Sequence, residues 1–477
     1  MSADWPKLRL DEVATIKSGK RLPKGEELTE KKSAHPYIRL VDVERGKVIS
    51  SNILYLEPET QKKISRYIVN AGDVCLAIVG HTIGVVFFID EQWDSANLTE
   101  NAARLTNFSP MINPKFVFYY LNSPAGHAEI LSRKVGSAQG KLPLYNIRSL
   151  EVPVPSRLIQ DRIVSILSSF DSKISLNTQT NQTLEQMAQA LFKSWFVDFD
   201  PVIDNALDSG FFEREFEGRG IPEPLAQRVA IRQALREATA ADTDASAIGR
   251  LPPETRALFP DRFEKHPELG WIPKGWEVKP VSEALDINPK VKLSKGTTAK
   301  FADMKAAPTS GYMIDGVIEK EFSGGSKFMA DDVLLARITP CLENGKTAIV
   351  DFLAQDEAGF GSTEFIVMRG KGAVSMPFVA CLSRLPEFRA HCIQSMVGSS
   401  GRQRVQNACF DSFYLTFPPT ADVLEKFEQT CLPSFRQMTV ARLESEALAN
   451  LRDTLLPKLL SGELELANTE IIVEAFA

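Results

Sequence analysis

The chain has no apolar run long enough to cross a membrane. Its first residues, "MSADWPKLRL", lack the charged-then-apolar pattern of a secretory leader, so a cytoplasmic protein with no membrane partner is expected. Its six cysteines, Cys75, Cys341, Cys381, Cys392, Cys409 and Cys431, include no C-x-x-C pair and no repeated interval. That argues against a disulfide framework or zinc site and points to buried free thiols. The five histidines, His35, His81, His127, His266 and His391, are scattered with no pair at helical metal spacing, so no metal site is expected. "ENGKT" (343–347) ends like a phosphate-binding loop, but position 340 is proline where that loop needs glycine, so "GKT" reads as a turn opening a strand. "LPP" (251–253) and "FPP" (417–419) lack the flanking amide or acid and the aromatic that an adenine methyltransferase carries around its proline pair. No glycine-rich cofactor loop follows a strand. "PDRFEK" (260–265) has acids but no acid-x-Lys element at nuclease spacing, and reads as a surface helix or turn. No catalytic residue is assigned.

An excess of positive charge is missing too: the formal net charge is −6. Its distribution is uneven. Residues 1–155 hold 20 Lys/Arg against 17 Asp/Glu and residues 271–417 hold 17 against 16, while the remainder holds 18 against 28. Two near-neutral blocks able to face a polyanion therefore alternate with two acidic ones. The length, 477 residues, allows two to four domains.

What the chain has, it has twice. "AGDVCLA" (71–77) returns as "ADDVLLA" (330–336), and "GVVFFID" (84–90) as "GKTAIVD" (345–351). "VGS" recurs at 135–137 and 397–399. "LEVPVP" (150–155) matches "FYLTFP" (413–418), and "WPKLRLDEVATI" (5–16) matches "WEVKPVSEALDI" (276–287). All five keep the same order, at separations of about 259 to 271 residues. In each half a strand-rich block broken by Gly, Asn and Pro precedes a long helical segment.

In the first such segment Ile163, Leu167, Phe170, Ile174, Asn177, Asn181, Leu184, Ala188, Leu191 and Trp195 alternate at four- and three-residue steps. That is a coiled-coil seam, whose two asparagines fix register at some expense of stability. A helix over 160–197 would be about 57 Å long. In the second segment, 422–461, Leu448, Leu451, Leu455, Leu456, Leu459 and Leu460 repeat Leu184, Met187, Leu191, Phe192, Trp195 and Phe196 at a constant shift of 264. Both collars are too wide for a two-helix seam and should pack against something more. Asp200-Pro201 is expected to stop the first helix, and Pro433 and Pro457 to kink or interrupt the second.

The predicted organisation is strand block 1–155, long helix 156–200, acidic connector or insertion 201–270, strand block 271–417, long helix 418–465 and a tail 466–477. The connector holds one clear helical run, 224–242, and no residue with assigned chemistry. The fold class is α+β: two similar strand-rich domains and a pair of long antiparallel coiled-coil helices, related by a pseudo-twofold.

Together with "FKSWFVDFDPV" (192–202), "LFPDRFEKHPELGWIPKGW" (258–276) and "LRDTLLPKLLSGEL" (451–464), this duplicated plan resembles the specificity subunit of a type I restriction–modification system. The resemblance implies a non-catalytic protein. Each strand block would be a target-recognition domain reading one half of a split, asymmetric sequence in double-stranded DNA. It further implies that the helices dock two methyltransferase subunits, which recruit two motor-nuclease subunits. S-adenosylmethionine, ATP and Mg would be bound only by those partners, with no cofactor on this chain. The collar residues Leu191, Phe192, Trp195, Phe196, Leu455, Leu456, Leu459 and Leu460 are the partner-binding candidates. The bland alternative is a coiled-coil scaffold or adaptor whose strand blocks touch no DNA.

Base reading needs Arg, Lys, Asn or Gln on protruding loops, and phosphate needs cations. In the first block the candidates are Lys17, Lys20, Arg21 and Lys24 of "KSGKRLPKG". Arg133, Lys134, Gln139 and Lys141 of "RKVGSAQGKLP" and His81 of "VGHTIG" join them. In the second block they are Lys290, Lys292 and Lys295 of "NPKVKLSKG", and Arg402, Gln403, Arg404 and Asn407 of "VGSSGRQRVQN". Arg39 and Arg337 read equally well as structural ion pairs.

Overall fold

The computed structural model describes residues 5–50, 53–136, 140–240, 251–399 and 401–463. Gln139, the predicted tail and the part of the connector from 241 to 250 lie outside these. The chain divides into a first unit, Met1–Ser175 with Ser445–Ala477, and a second, Leu176–Glu444.

The first unit is built on a four-stranded antiparallel sheet of β1 (Thr15–Ser18), β2 (Val74–Ala77), β3 (Val86–Phe88) and β4 (Ala102–Thr106), in the order β1-β4-β2-β3. Its two central strands, β2 and β4, are buried at every position, so "VCLA" is apolar throughout and "AARLT" takes even Arg104 and Thr106 into the interior. Val74, Leu76, Val86, Ala103 and Leu105 face one core, shared with the helix Pro114–Asn122 and the long helices. Cys75, Phe87 and Ala102 face the other, beneath a small sheet in which Pro36–Ile38 pairs antiparallel with Leu54–Tyr55 and parallel with Asn97–Leu98.

The second unit repeats this closely. β5 (Leu285–Ile287), β6 (Val333–Ala336), β7 (Thr347–Ile349) and β8 (Phe365–Gly370) lie in the order β5-β8-β6-β7. Val333, Leu335, Ile366 and Met368 face one core; Leu334, Ala348 and Val367 face the other. Thr298–Ala302 again pairs antiparallel with one strand, Ile318–Glu321, and parallel with another, Ala358–Gly361. In each unit two nine-residue helices follow the sheet, Pro114–Asn122 and Pro124–Ser132 in one, Met376–Arg384 and Pro386–Gln394 in the other. Each has proline in its first turn, where no intrahelical donor is lost. The block's first and last strands then clasp antiparallel: Lys7–Arg9 with Glu151–Pro153, and Glu277–Pro280 with Tyr414–Phe417.

The repeated "GDV/DDV" is a turn device. The Asp73 carboxylate accepts from the Asn70 amide at 2.9 Å, and Asp332 from the Met329 amide at 2.8 Å. The residue before each is left-handed, Gly72 at φ 89° and Asp331 at φ 66°. Glycine or aspartate is tolerated there because neither places a branched Cβ against the backbone.

Two long helices, Arg157–Phe196 and Asp422–Leu460, each contribute to both units. In the second unit Asn177 donates to the carbonyl of Ala441 and to Glu444, and Asn181 to the carbonyl of Met438. The partner numbers fall as the donor numbers rise, so the pair is antiparallel. The seam asparagines thus bond the facing helix, as a register-fixing role requires. In the first unit Asp171 ties the helices to their domain, accepting from Tyr119 Oη at 2.6 Å and from Arg452 Nη1 at 2.7 Å. Arg436–Asp331 and Arg442–Asp351, both at 2.9 Å, do the same in the second.

Four expectations are corrected. Neither Pro433 nor Pro457 interrupts the second helix; both rings are on its exposed side, and the packed face carries the helix across them. Asp200-Pro201 does not stop the first helix, which ends at Phe196. Phe199 turns the chain at φ 55°, and Pro201 opens a new helix, Asp200–Asp208. The connector is more than one helix. Beside Leu225–Ala240 it holds Asp200–Asp208, Phe211–Glu215 and Pro253–Arg256. An Asp/Arg ladder at about four-residue intervals ties Leu225–Ala240 to the segment 198–208: Arg228 to Asp198 and Asp200, Arg232 to Asp204, Arg236 to Asp208. Finally, "FEKH" is a strand hairpinned to Gly270–Pro273, with Glu264 accepting from the Gly275 amide. All six cysteines are free thiols, five buried and Cys341 half-buried.

Candidate nucleic-acid interface

In each unit the loop leaving the second strand of the main sheet is clasped by a hairpin that the sequence singled out. In the first unit the Ile78 amide donates to the Asn101 carbonyl, the Gly80 amide to Gly140, and the Leu142 amide to Ile78, at 2.8–2.9 Å. In the second, Arg337 donates to Glu364, Thr339 to Gln403 and Val405 to Arg337, at 2.9–3.0 Å. Each hairpin closes on itself through a bridge, Val135 to Lys141 and Val397 to Arg404. The floor is a turn of the same design. The Asn101 amide donates to Thr99 Oγ1 and the Glu364 amide to Ser362 Oγ; the Ala102 and Phe365 amides donate to the carbonyls of Thr99 and Ser362. These bonds make Ile78, Asn101 and Lys141 the structural equivalents of Arg337, Glu364 and Arg404.

The 17–25 loop reaches the first floor. Lys17 is exposed on β1 opposite Arg104. Gly19 sits so close to the chain at 98–99 that a Cβ would lie 2.0 Å from the Thr99 carbonyl oxygen, so only glycine fits. The Lys20 amide donates to Leu98, its ammonium lies 5.6 Å from the Tyr67 ring, and Arg21 pairs with Glu100 at 2.7 Å. Tyr37 donates to the Lys20 carbonyl, and burial pushes its phenol up to about 12. Lys24 is exposed beside Gly25. Lys134, Lys141 and His81 are exposed too, His81 in the short turn Gly80–Thr82. Arg133 is held back on its own helix by Glu129. Arg39, the ion-pair candidate, is bound to Asp42.

In the second unit Lys290, Lys292 and Lys295 are exposed on a loop that opens at Asn288, left-handed at φ 55°. Lys327 anchors the loop by donating to the Leu293 carbonyl at 2.7 Å, and its own strand pairs with Phe360 and Gly361, leading into the floor turn. Arg402 and Asn407 are exposed; Gln403 is half-buried with its amide on Thr339 Oγ1. Arg404 lies side-on to Glu364, Nε at 2.9 Å and Nη2 at 2.6 Å. The hydrogen bonds from Arg404 hold the Glu364 carboxyl below its ordinary range. Arg337 is half-buried next to this pair; its Nη2 reaches the Val405 carbonyl at 3.4 Å and its Nε has no hydrogen-bond partner.

Sequence reasoning found the hairpins and loops because the repeat marks them. It missed Glu100, Asn101 and Glu364. They sit at strand entrances among residues that read as sheet, and only the registered alignment of "LTEN" with "GSTE" could have shown them.

The collars are occupied by the chain itself. Phe192, Trp195 and Phe196 are fully buried, with Phe378 5.0 Å from both Phe rings and Phe259 5.1 Å from Trp195. Leu191 packs on the same core. Leu455, Leu456, Leu459 and Leu460 are buried in the core of the first unit. The expectation that the collars need more than a two-helix seam holds: their own unit covers them, burying seven of the eight side chains and leaving Leu191 half-buried. Among the described residues no helix is long and apolar enough to cross a membrane, and no group of three or more His, Cys, Asp or Glu could hold a metal ion.

A family model for the type I restriction modification DNA specificity domain matches residues 2–186. The chain is 23% identical over 465 residues to the type I restriction enzyme HindI specificity subunit of Haemophilus influenzae, covering 90% of this chain and 95% of that one. It is 23% identical over 358 residues to the MjaIX specificity subunit of Methanocaldococcus jannaschii, covering 72% and 68%. The crystal structure of the type I restriction–modification S subunit from M. genitalium aligns over 96% of both chains with 14% identity and a TM-score of 0.49. A specificity-domain model thus matches residues 2–186, and over most of its length the chain is similar to named type I restriction enzyme specificity subunits.

Proposed function

We propose that this chain gives a type I restriction–modification complex its DNA sequence specificity, each unit reading one half of a bipartite, asymmetric target in double-stranded DNA. The observation that carries this is the duplicated clasp. Two hairpins of the same hydrogen-bonding pattern hold Arg, Lys and Gln at the same end of two equivalent sheets, with different side chains at matching positions. Similar frames suit equivalent placement on duplex DNA, and different side chains suit different half-sequences.

In this reading the exposed lysines of 17–24 and 290–295 contact phosphate, and the hairpin residues reach base edges. The chain performs no chemistry itself. Methyltransferase subunits dock on the solvent-facing sides of the long helices, whose buried collars hold each unit together, and they bring S-adenosylmethionine; motor-nuclease subunits join through them and bring ATP and Mg.

The test is equilibrium binding of the assembled methyltransferase complex to duplexes across a salt series. Binding should weaken steeply with salt, because phosphate contacts release counterions. Replacing Lys290, Lys292 and Lys295 by Ala should weaken binding to all sequences alike and reduce the log–log salt slope by roughly one for each phosphate these lysines neutralise. A complex whose DNA affinity is the same with or without this chain would defeat the proposal.

A further inference from the structure

Arg404 uses only part of its donor set on Glu364. Its guanidinium carries five N–H groups in a planar fork. The carboxylate takes the Nε edge, through Nε and Nη2, and Nη1 makes no hydrogen bond among the described residues. The edge formed by Nη1 and the second Nη2 hydrogen is left open on a side chain that is 43% exposed, at the rim of the hairpin. Two parallel N–H groups held at a fixed angle match the O6 and N7 acceptors of guanine in the major groove, and no other base offers that acceptor pair there. The first unit lacks the arrangement. Its equivalents are Asn101 and Lys141, an uncharged amide and a compact, freely rotating ammonium without the rigid planar fork.

We propose that Arg404 reads a guanine in the half-site recognised by the second unit, and that Glu364 is its positioning residue, holding the guanidinium side-on so that the opposite edge faces the base. This rests on the reading of the chain as a DNA-specificity subunit and names what one position of it recognises. Arg337 completes the setting. Its backbone hydrogen-bonds both Glu364 and Val405, and its positive charge adds to the lowering of the Glu364 carboxyl that the Arg404 hydrogen bonds chiefly cause. A lysine at 404 would keep the charge and lose the fork.

The test uses the full chain in its methyltransferase complex and duplexes carrying its target. Each guanine is replaced in turn by 7-deazaguanine, which lacks the N7 acceptor. For the wild-type complex one such guanine, confined to one half-site, should weaken binding about 5- to 150-fold, the range of a good forked contact. Arg404→Ala should be indifferent to that same replacement and accept all four bases at that position, with the other half-site unchanged, and Arg404→Lys, which keeps donors but loses the planar fork, should show a smaller effect than wild type. Glu364→Gln should lose part of the discrimination while keeping affinity for mismatched DNA. Lys141→Ala, the control, should leave this guanine's effect intact.

A purely structural ion pair predicts something else. Arg404→Ala would then weaken every duplex alike, or remain as sensitive to 7-deazaguanine as wild type, and either result overturns the proposal. If instead no target sequence depends on this chain at all, it is the specificity reading that fails, and the two failures are distinguishable.

Discussion

At the residue scale, charge is used in two ways. Asp204 and Arg232, with side chains 2% and 10% exposed, form the closed rung of the connector ladder. Removing one partner strands the other charge in a low-dielectric core. Arg232→Met should therefore cost about 3–5 kcal/mol in urea denaturation, and adding Asp204→Leu should recover most of that loss. An Arg232→Met protein as stable as wild type would mean that water reaches the pair. Glu364 is the opposite case, a partly exposed carboxylate at the candidate interface. Its folded value is lowered from the ordinary 4.5, first by the Arg404 hydrogen bonds. A lowered carboxylate contributes stability that is present above its unfolded value and is lost as pH falls through the folded one. The stability difference between wild type and Glu364→Gln should thus be constant near neutrality and vanish as pH falls below about 4.5, read by thermal melts from pH 7 to 3. Neither pair was visible in the sequence, since Asp204 and Arg232 are 28 residues apart and Glu364 and Arg404 are 40 apart. Arg, Lys and Gln on glycine-flanked loops could be picked out because their setting is local; the carboxylates that fix them are brought in by tertiary pairing.

At the scale of the element, the helices were the most legible part. The four- and three-residue steps gave both the seam and the role of its asparagines, and these bond the facing backbone as expected. Proline was the weak point of that reading. Propensity disfavours it in a helix interior, yet Pro433 lies on the exposed side of an unbroken helix while Phe435 and Cys431 anchor the packed face. Tertiary burial outweighs the missing hydrogen bond. Pro433→Ala restores an amide able to donate to the Gln429 carbonyl, so it should raise the melting temperature. A lowered one would mean that the packing of this helix requires the proline's distortion. The aromatic knot was legible as an apolar surplus but not in its partner. "ALFKSWF" is covered by residues 259, 378 and 427 of its own unit, neighbours that no local pattern encodes. The connector was underread for a related reason: its short helices are held by a ladder of ion pairs rather than by an apolar stripe.

At the scale of the whole molecule, duplication is the organising fact. Five short matches in order were enough to predict two equivalent units, and the equivalence extends to sheet order, face assignment and individual hydrogen bonds in the floor turns. The frame repeats while the side chains at 78, 101 and 141 differ from those at 337, 364 and 404, which is the pattern expected if one scaffold reads two different half-sequences. The most direct measurement is a map of methylated adenines in a genome that encodes the complex, with this chain present and deleted. Two different readers on one chain should give a single split, non-palindromic motif that is methylated when the chain is present and unmodified without it. The same motif persisting after deletion, or no bipartite motif responding to it, would show that specificity resides elsewhere.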